Sequence, residues 1–295
     1  MFYIIVNILK ALYFHFFSKK SKRERMLLSQ YHRAKALPDW AVRVWSNNIK
    51  AEQIDISIVV TCFNYSLYIQ ESLRSIFSAA KYKPEIEIIV VDDCSKDDSG
   101  NKIQRSLKNS SIPSYLIRTF WNVGVSKARN IGINRAKGIY IFILDADNKI
   151  YSKSLKNLFE TISNSDADAA YGPIDRFTLD GKFIDQISHM KFSPTHLLNH
   201  GNYIDAMALF RRDKLVNIGG YDINLLKIIG GWEDYAIWLQ MVDRGCKVAF
   251  TSYKIGFYRI KPDSMVKKIT NEEIIAFRNY ASSLFKNFKA PSNLN

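Results

Sequence analysis

The amino-acid sequence predicts an α/β fold in which a sheet is flanked by helices. Short runs rich in Val and Ile alternate with helical segments, which is the pattern of consecutive βαβ units. Two of these runs end in paired acids, at Asp92-Asp93 and at Asp145-Ala146-Asp147. Because ligands of open α/β sheets bind at the carboxyl ends of the strands, the pattern also predicts where the functional site lies.

The predicted elements follow one another along the chain with short connections. The predicted strands cover residues 54–61, 86–91, 114–119, 139–144, 168–172 and 206–210. The predicted helices cover residues 66–80, 97–109, 125–137 and 152–164, and a further helix begins near Glu233. A hairpin is predicted over residues 174–186, turning at Asp180-Gly181. Residues 18–52 are predicted to form a helical linker, and residues 285–295 a frayed tail.

Composition agrees with a globular enzyme. The chain has 295 residues, of which 47% are hydrophobic and 13% aromatic, enough for a sizeable core. The three cysteines, Cys62, Cys94 and Cys246, have an odd count and no metal-ligand spacing. We therefore expect no disulfide framework and a reducing compartment.

The net charge of +14 is concentrated at the two ends of the chain. Residues 1–52 contain ten Lys/Arg against three Asp/Glu, and residues 254–295 contain eight against three. The stretch between these ends is close to neutral and has no basic RNA-binding motif. A net charge this high ordinarily suggests nucleic-acid binding. Because this charge lies at the two ends of the chain, we expect no nucleic-acid partner.

The N-terminal segment predicts contact with a membrane. Residues 1–17 are strongly apolar, and residues 19–25 carry five Lys/Arg against one Glu. Basic residues that follow the apolar run, with no small-residue cleavage site, disfavour a signal peptide. We expect an interfacial helix on an anionic membrane surface, which makes the protein peripheral (monotopic) at the cytoplasmic face. Two alternatives stay open: the helix packs on the protein's own core, or it is just long enough to span the bilayer.

The Asp145-Ala146-Asp147 tripeptide is the most informative chemical feature. It follows the apolar run at residues 138–144, so two carboxylates emerge together at a strand end, with Asn148 next. This arrangement suits a hard divalent cation that also takes phosphate oxygens as ligands. Taken alone, the tripeptide is equally compatible with an acidic turn that closes a strand.

The order of five motifs resembles the family 2 glycosyltransferases with the GT-A fold. The motifs lie at residues 56–64, 87–93, 122–132, 145–147 and 230–238, and the resemblance covers about residues 54–262. It implies a Rossmann-like mixed sheet flanked by helices, forming a single catalytic domain with nucleotide-binding and acceptor-binding halves. We place this domain at residues 53–265, after the membrane-associating helix and basic linker of residues 1–52 and before a helical tail of residues 266–295.

The resemblance implies which residues bind the donor. The last acid of the tripeptide, Asp147, corresponds to the ligand of a divalent metal, Mn²⁺ or Mg²⁺, and Asp145 would lie near the ribose or beside that metal. The remaining implied donor-binding residues are Thr61, Phe63, Asp93 as the uracil-binding acid, Arg129 and Lys261. Lys261 stands where the family often has His, and an ammonium neutralises phosphate but does not ligate a metal.

Neighbouring residues leave two questions open on the donor side. Asp92 either contacts the nucleotide or braces its own loop. Lys127 and Arg129 are two positions apart on a predicted helix, so only one of them is expected to face the site. Arg129 is preferred because it lies in the Ala-Arg-Asn pattern of the family.

The resemblance also implies the acceptor side. Glu233-Asp234 corresponds to the family's Glu-Asp motif, in which the Asp takes the proton of the acceptor hydroxyl in inverting enzymes. Asp234 is therefore the predicted catalytic base, while Glu233 and Trp232 are predicted to bind the acceptor. The plainer alternative is that both acids satisfy a helix N-terminus and its dipole, and Trp232 is nearly as well explained as a core residue.

The sequence thus predicts a metal-assisted, inverting transfer of sugar from a nucleotide-diphosphate donor, UDP by family habit, to a glycan or lipid-linked acceptor, as in cell-surface polysaccharide synthesis. Two other classes of protein share part of this pattern. A sugar-phosphate nucleotidyltransferase needs a Gly-rich basic loop after the first strand, and residues 61–67 contain none. A membrane-docked glycan-binding protein would not need Asp147 and Asp234.

Overall fold

The computed structural model describes residues 41–82, 84–223, 232–261 and 270–285. Its strands are β1 Val42–Ser46, β2 Ile56–Cys62, β3 Ile86–Asp92, β4 Ser114–Thr119, β5 Tyr140–Asp145, β6 Lys149–Ile150, β7 Ala169–Tyr171, β8 Ile174–Phe177, β9 Phe183–Ile187, β10 Leu209–Arg211, β11 Val248–Phe250 and β12 Gly256–Arg259. Its helices are α1 Ile69–Ala79, α2 Ser99–Lys108, α3 Val125–Arg135, α4 Ser154–Ser163, α5 Pro194–His200, α6 Arg212–Asn217, α7 Glu233–Asp243 and α8 Asn271–Leu284.

A mixed sheet forms the centre of the molecule. Its strand order is β1-β4-β3-β2-β5-β10-β7-β11, in which β4, β3, β2 and β5 are mutually parallel. Strand β10 runs antiparallel to its neighbours β5 and β7, and β11 is parallel to β7. The predicted α/β class is therefore confirmed.

Strands β2 and β3 are buried along their whole length because both faces of the sheet are covered. Alternate residues point into two separate cores, as the two-residue period of a strand requires. Val59 and Ile143 belong to the core on one face, while Val60 and Leu144 belong to the core on the other. This double burial fixes the register of the strands, and with it the position of every residue at their carboxyl ends.

A second, smaller sheet lies beside the point where β5 ends. Its order is β6-β12-β8-β9, and the predicted hairpin forms its β8–β9 edge with Gly181 at a positive φ of 85° in the turn. Strand β6 begins directly after the Asp145-Ala146-Asp147 turn and pairs with β12. This sheet therefore joins the acidic turn to the segment that leads to Lys261.

Two predicted regions need correction. The helical linker of residues 18–52 is wrong for its last part, because Val42–Ser46 forms β1, which pairs antiparallel with β4 at the edge of the main sheet. At the other end, Phe277 and Phe285 are buried in the core, so α8 packs on the domain and Phe285 is not part of a frayed tail. The predicted membrane helix lies outside the described residues. Within the described ranges, no helix has the length and hydropathy needed to cross a bilayer.

Candidate active site

The candidate site lies where the strand order of the main sheet reverses. Strand β2 has β3 on one side and β5 on the other, and such a switch point opens a crevice beyond the strand ends. Thr61 of β2 is paired with Asp145 of β5, and the Thr61 hydroxyl donates to Asp145 Oδ1 at 3.1 Å. Backbone bonds from Ala146 N to Thr61 O and from Asn148 N to Asp145 O then fix the acidic turn.

Arg129 joins the two halves of the site. Its side chain is almost completely buried, on the face of α3 that packs against the sheet. Nη2 donates to Asp145 Oδ1 at 2.9 Å, and Nη1 donates to Glu233 Oε1 at 2.8 Å. The guanidinium also lies over the Tyr221 ring. Burial alone would lower the pKa of Arg129. The Asp145 and Glu233 carboxylates outweigh burial and raise this pKa above its ordinary value.

This position changes the interpretation of two predicted residues. Arg129 was expected near the donor's nucleotide or diphosphate, and here both of its terminal nitrogens donate to protein carboxylates. Glu233 was expected to bind the acceptor, and here it is buried beside Arg129. Neither substrate contact is tested by the geometry, so both stay predictions. Arg129 holds the end of β5 against the first residue of α7.

Asp147 lies next to Lys261. Lys261 Nζ is 2.5 Å from Asp147 Oδ2, and the ammonium also lies 4.0 Å from the centroid of the Tyr65 ring. Burial and the neighbouring Asp145 raise the pKa of Asp147, although Lys261 opposes the shift. Burial alone would lower the pKa of Lys261, but the Asp147 carboxylate and the Tyr65 hydroxyl outweigh burial and raise it. The predicted cationic residue and the predicted metal ligand are thus brought together.

Asp234 occupies the first turn of α7 and is only partly exposed. Asn202 Nδ2 donates to its Oδ2 at 2.9 Å, and Tyr235 N donates to its Oδ1 at 2.7 Å. Burial, together with the Glu233 and Asp205 carboxylates, raises the pKa of Asp234. A carboxylate with a raised pKa is a stronger base near neutral pH, which suits proton abstraction.

Sequence reasoning missed two further residues near these acids, Asp205 and Tyr258. Burial and the nearby Asp145 raise the pKa of Asp205 to about 7. Burial, with Asp205, Asp145, Asp147 and Asp234 around it, raises the pKa of the Tyr258 phenol. Asp205 precedes an ordinary apolar run and Tyr258 lies in a four-residue strand, so no local pattern distinguished either residue.

The predicted nucleotide end of the site is rigidly built. Asp93 is buried and accepts hydrogen bonds from Thr119 Oγ1, Val123 N and Gly124 N. A carboxylate has about four lone-pair sites, so one acceptor position remains for a nucleobase. Asp92 is also buried, and it accepts from Ser95 N and pairs with Arg118, which accounts for Asp92 as a brace of its loop.

The two predicted aromatic residues differ in exposure and contacts. Phe63 is 40% exposed at the end of β2, where its ring is free to meet a ligand. Trp232 adopts a left-handed backbone with φ 64°, and its ring packs edge-on against Phe277 at 5.0 Å. The contact with Phe277 supports the core role that the sequence left open for Trp232.

A divalent metal would have few protein ligands here. Within the described ranges, no three His, Cys, Asp or Glu side chains gather as a metal site. Both oxygens of Asp145 lie within hydrogen-bond distance of Arg129, which leaves Asp147 as the available carboxylate. Mg²⁺-type ions are commonly held by one or two carboxylates and completed by substrate phosphates. The residues therefore fit a metal that arrives with a diphosphate.

The family comparison decides the assignment. The family model described as "Glycosyl transferase family 2" matches residues 57–222, more than half of the chain, and this range includes the acidic turn and Arg129. The chain belongs to glycosyl transferase family 2. The resemblance drawn from the motif order is confirmed, and with it the predicted enzyme class, a glycosyltransferase.

Relatives of this family 2 glycosyltransferase carry names from surface-polysaccharide synthesis. It is 28% identical to the E. coli UDP-Glc:alpha-D-GlcNAc-diphosphoundecaprenol beta-1,3-glucosyltransferase WfaP over 219 residues, which cover 71% of this chain and 79% of WfaP. It is 28% identical to the Rhizobium meliloti succinoglycan biosynthesis protein ExoO over 162 residues, which cover 54% of this chain but 44% of ExoO. The chain therefore spans less than half of the length of ExoO.

Solved structures show the same fold. The S. aureus TarS 1–349 complex with UDP-GlcNAc superimposes with a TM-score of 0.59 at 18% identity, covering 78% of this chain and 66% of the other. The Pyrobaculum calidifontis mannosyltransferase PcManGT, in complex with GDP-Man and Mn²⁺, gives a TM-score of 0.60 at 15% identity over 92% of this chain and 74% of that one. The predicted GT-A fold of this family 2 glycosyltransferase is thereby confirmed.

Proposed function

We propose that this family 2 glycosyltransferase moves a sugar from a nucleotide-diphosphate donor, a UDP-sugar in the first instance, to a saccharide or lipid-linked glycan in cell-surface polysaccharide synthesis. The observation that carries the proposal is the single guanidinium of Arg129. It contacts Asp145 of the donor half and Glu233 of the acceptor half at 2.9 and 2.8 Å. The acidic turn and the acid next to Glu233 therefore lie on either side of Arg129, and we propose that they face one cleft.

The proposed chemistry assigns one task to each end of that cleft. Asp234 takes the proton of the acceptor hydroxyl as that oxygen attacks the anomeric carbon, which inverts the configuration. Asn202 orients the Asp234 carboxylate through its hydrogen bond to Oδ2. At the other end, Phe63, Thr61 and the remaining acceptor position of Asp93 receive the nucleoside. Lys261 lies close enough to the acidic turn to meet the departing diphosphate.

Charge balance supports a metal at this site. Among the described residues, Asp145, Asp147, Asp205, Glu233 and Asp234 bring five carboxyl groups to this region, and only three of them, Asp145, Asp147 and Glu233, pair there with Arg129 or Lys261. A donor diphosphate adds further negative charge, so a divalent cation held by Asp147 favours its binding. When bound, such an ion neutralises the leaving diphosphate as a Lewis acid. Relatives named for UDP-Glc or solved with UDP-GlcNAc favour UDP as the nucleotide.

Removal of the metal or its ligand should stop the reaction. For Asp147→Ala we expect turnover of the preferred donor to fall by about 100-fold or more, since several kcal/mol of charge stabilisation are lost. Chelator should do the same to the wild type, and Mn²⁺ should restore it. The measurement is transfer and donor hydrolysis over a panel of UDP- and GDP-sugars, after a thermal-shift screen for binding. Asp166→Ala, an exposed acid remote from the cleft, is the matched control. Full activity in metal-free buffer would contradict the metal-assisted mechanism.

The family match favours a glycosyltransferase over a sugar-phosphate nucleotidyltransferase. The same panel of nucleotide-sugars separates a glycosyltransferase from a protein that only binds glycans. Donor binding with neither hydrolysis nor transfer would indicate a non-catalytic glycan-binding protein. For the chain organisation we propose that the catalytic domain extends beyond residues 53–265 to include β1 and α8, which pack on it, and that the segment before β1 associates with the membrane.

We also propose that the protein binds the anionic surface at the cytoplasmic face of a membrane. The five basic residues within 19–25 contribute about 1 kcal/mol each near such a surface. Full-length protein should float with anionic vesicles and release as salt rises, whereas a chain lacking residues 1–25 should not float. A full-length variant with the five basic residues changed to Ser isolates the charge effect. Equal flotation of all three proteins, or flotation indifferent to lipid charge, would show that this segment is no electrostatic anchor.

A further inference from the structure

Lys261 is enclosed in a cage formed by one acid and two aromatic rings. Its Nζ lies 2.5 Å from Asp147 Oδ2, 4.0 Å from the Tyr65 ring centroid and 5.6 Å from the Tyr68 ring centroid. The side chains of Lys261 and Asp147 are only 16% and 12% exposed. An ammonium on an aromatic face beside a carboxylate is held by cation–π attraction and by the ion pair at once.

Hydrogen bonds of Arg259 connect this cage to the acidic turn. Arg259 N donates to Asn148 Oδ1 at 3.0 Å, and Arg259 Nε donates to the Asp147 carbonyl oxygen at 3.1 Å. The Arg259 guanidinium is itself anchored by Glu71 at 2.6 Å. The segment that leads to Lys261 is therefore fixed to the same turn as Asp147, so the ion pair is built into the fold.

The ammonium of Lys261 and a divalent metal compete for Asp147 Oδ2. A metal of the Mg²⁺ type binds a carboxylate oxygen at about 2.0–2.1 Å. Lys261 Nζ already lies 2.5 Å from Oδ2, and the two like charges would repel strongly at such separations. Asp145 offers no substitute, because Arg129 and Thr61 already use its oxygens.

We propose that Lys261 and the divalent cation exchange at Asp147, so that the metal binds only together with a donor diphosphate. In the absence of donor, Lys261 neutralises Asp147 and keeps the metal out. When a metal–diphosphate enters, the phosphate oxygens provide new acceptors for the displaced ammonium. The inference rests on the proposed donor site and deepens it, since it assigns the order in which cation and nucleotide bind.

Binding of Mn²⁺ to the full-length protein, read from the free-ion EPR signal, tests this exchange directly. Without nucleotide, wild type should bind Mn²⁺ weakly, and Lys261→Met should bind it about tenfold more tightly or better, because a unit positive charge beside the ion is removed. Addition of UDP or GDP should tighten Mn²⁺ binding in the wild type far more than in Lys261→Met. Lys156→Met, which breaks an exposed ion pair with Glu160, is the matched control and should behave as wild type.

The double variant Lys261→Met/Asp147→Asn locates the ion. It should return nucleotide-free Mn²⁺ binding to the weak level, and Lys261→Gln provides a second neutral variant should the Met side chain disturb folding. Equal nucleotide-free affinity in wild type and both neutral variants would overturn the exchange, as would tight binding that survives in the double variant. Failure of the proposed function is distinguished by a different measurement. In that case no nucleotide-sugar would be turned over, whatever the Mn²⁺ affinities are.

Discussion

Asp234→Asn should lower the turnover of sugar transfer by about two to four orders of magnitude, the usual effect of removing a general base. The amide is nearly isosteric with the carboxylate and can still accept a hydrogen bond from Asn202, but it cannot take the proton of the acceptor hydroxyl. Donor affinity should be retained, because the nucleotide end of the cleft is untouched. Single-turnover transfer and donor binding by calorimetry measure the two effects separately. Unchanged turnover would show that Asp234 serves α7 as an N-terminal acid and that another carboxylate is the base.

The pH dependence of the wild type gives an independent test of the same assignment. Burial and the adjacent carboxylates raise the pKa of Asp234, so the free enzyme carries this group protonated over part of the range above the ordinary Asp value. Since the deprotonated form is the base, kcat/KM should increase as pH rises through that pKa. The residual activity of Asp234→Asn should lack this ascending limb. Asp213→Asn, on the surface helix α6, should leave the limb in place.

Arg129→Met should produce the largest loss of folding stability. It removes the buried cation between Asp145 and Glu233 and leaves two carboxylates without their partner. Breaking a buried ion pair from one side costs about 3–5 kcal/mol, and we expect the lower end because the Asp145 side chain is 30% exposed. For a domain of this size that is a fall in Tm on the order of 10 °C. Urea unfolding and calorimetry provide the measurement.

A matched control separates the buried Arg129 pair from ordinary surface pairs. Arg105→Met breaks an ion pair with Asp98 in which both side chains are well exposed, so its effect should stay within about 0.5 kcal/mol. Arg129→Lys should recover part of the stability, because it keeps the charge but loses the two-pronged contact. Equal Tm values for Arg129→Met and Arg105→Met would mean that the bridge between the two halves contributes little to folding.

The main sheet could be predicted because its signals are local. The double-sided burial of β2, β3 and β5 makes each of them rich in Ile and other apolar residues, and polar residues mark their carboxyl ends. That was sufficient to place Asp145, Asp147 and Thr61 at one edge of the sheet. Strands β6 and β12 have two and four residues, too short to show a period, so only the β8–β9 hairpin of the second sheet was predicted.

The sequence by itself determined the family, the α/β class and the identity of the acids at the strand ends, since each of these follows from residues close together in the chain. The tertiary structure alone decided what those acids contact. Arg129 meets Glu233 across 104 positions of sequence, and Lys261 reaches Asp147 because β12 pairs with β6. Such pairings depend on how buried faces pack. Two charged side chains form a fixed contact only when packing excludes the water between them, and the sequence does not show where this happens.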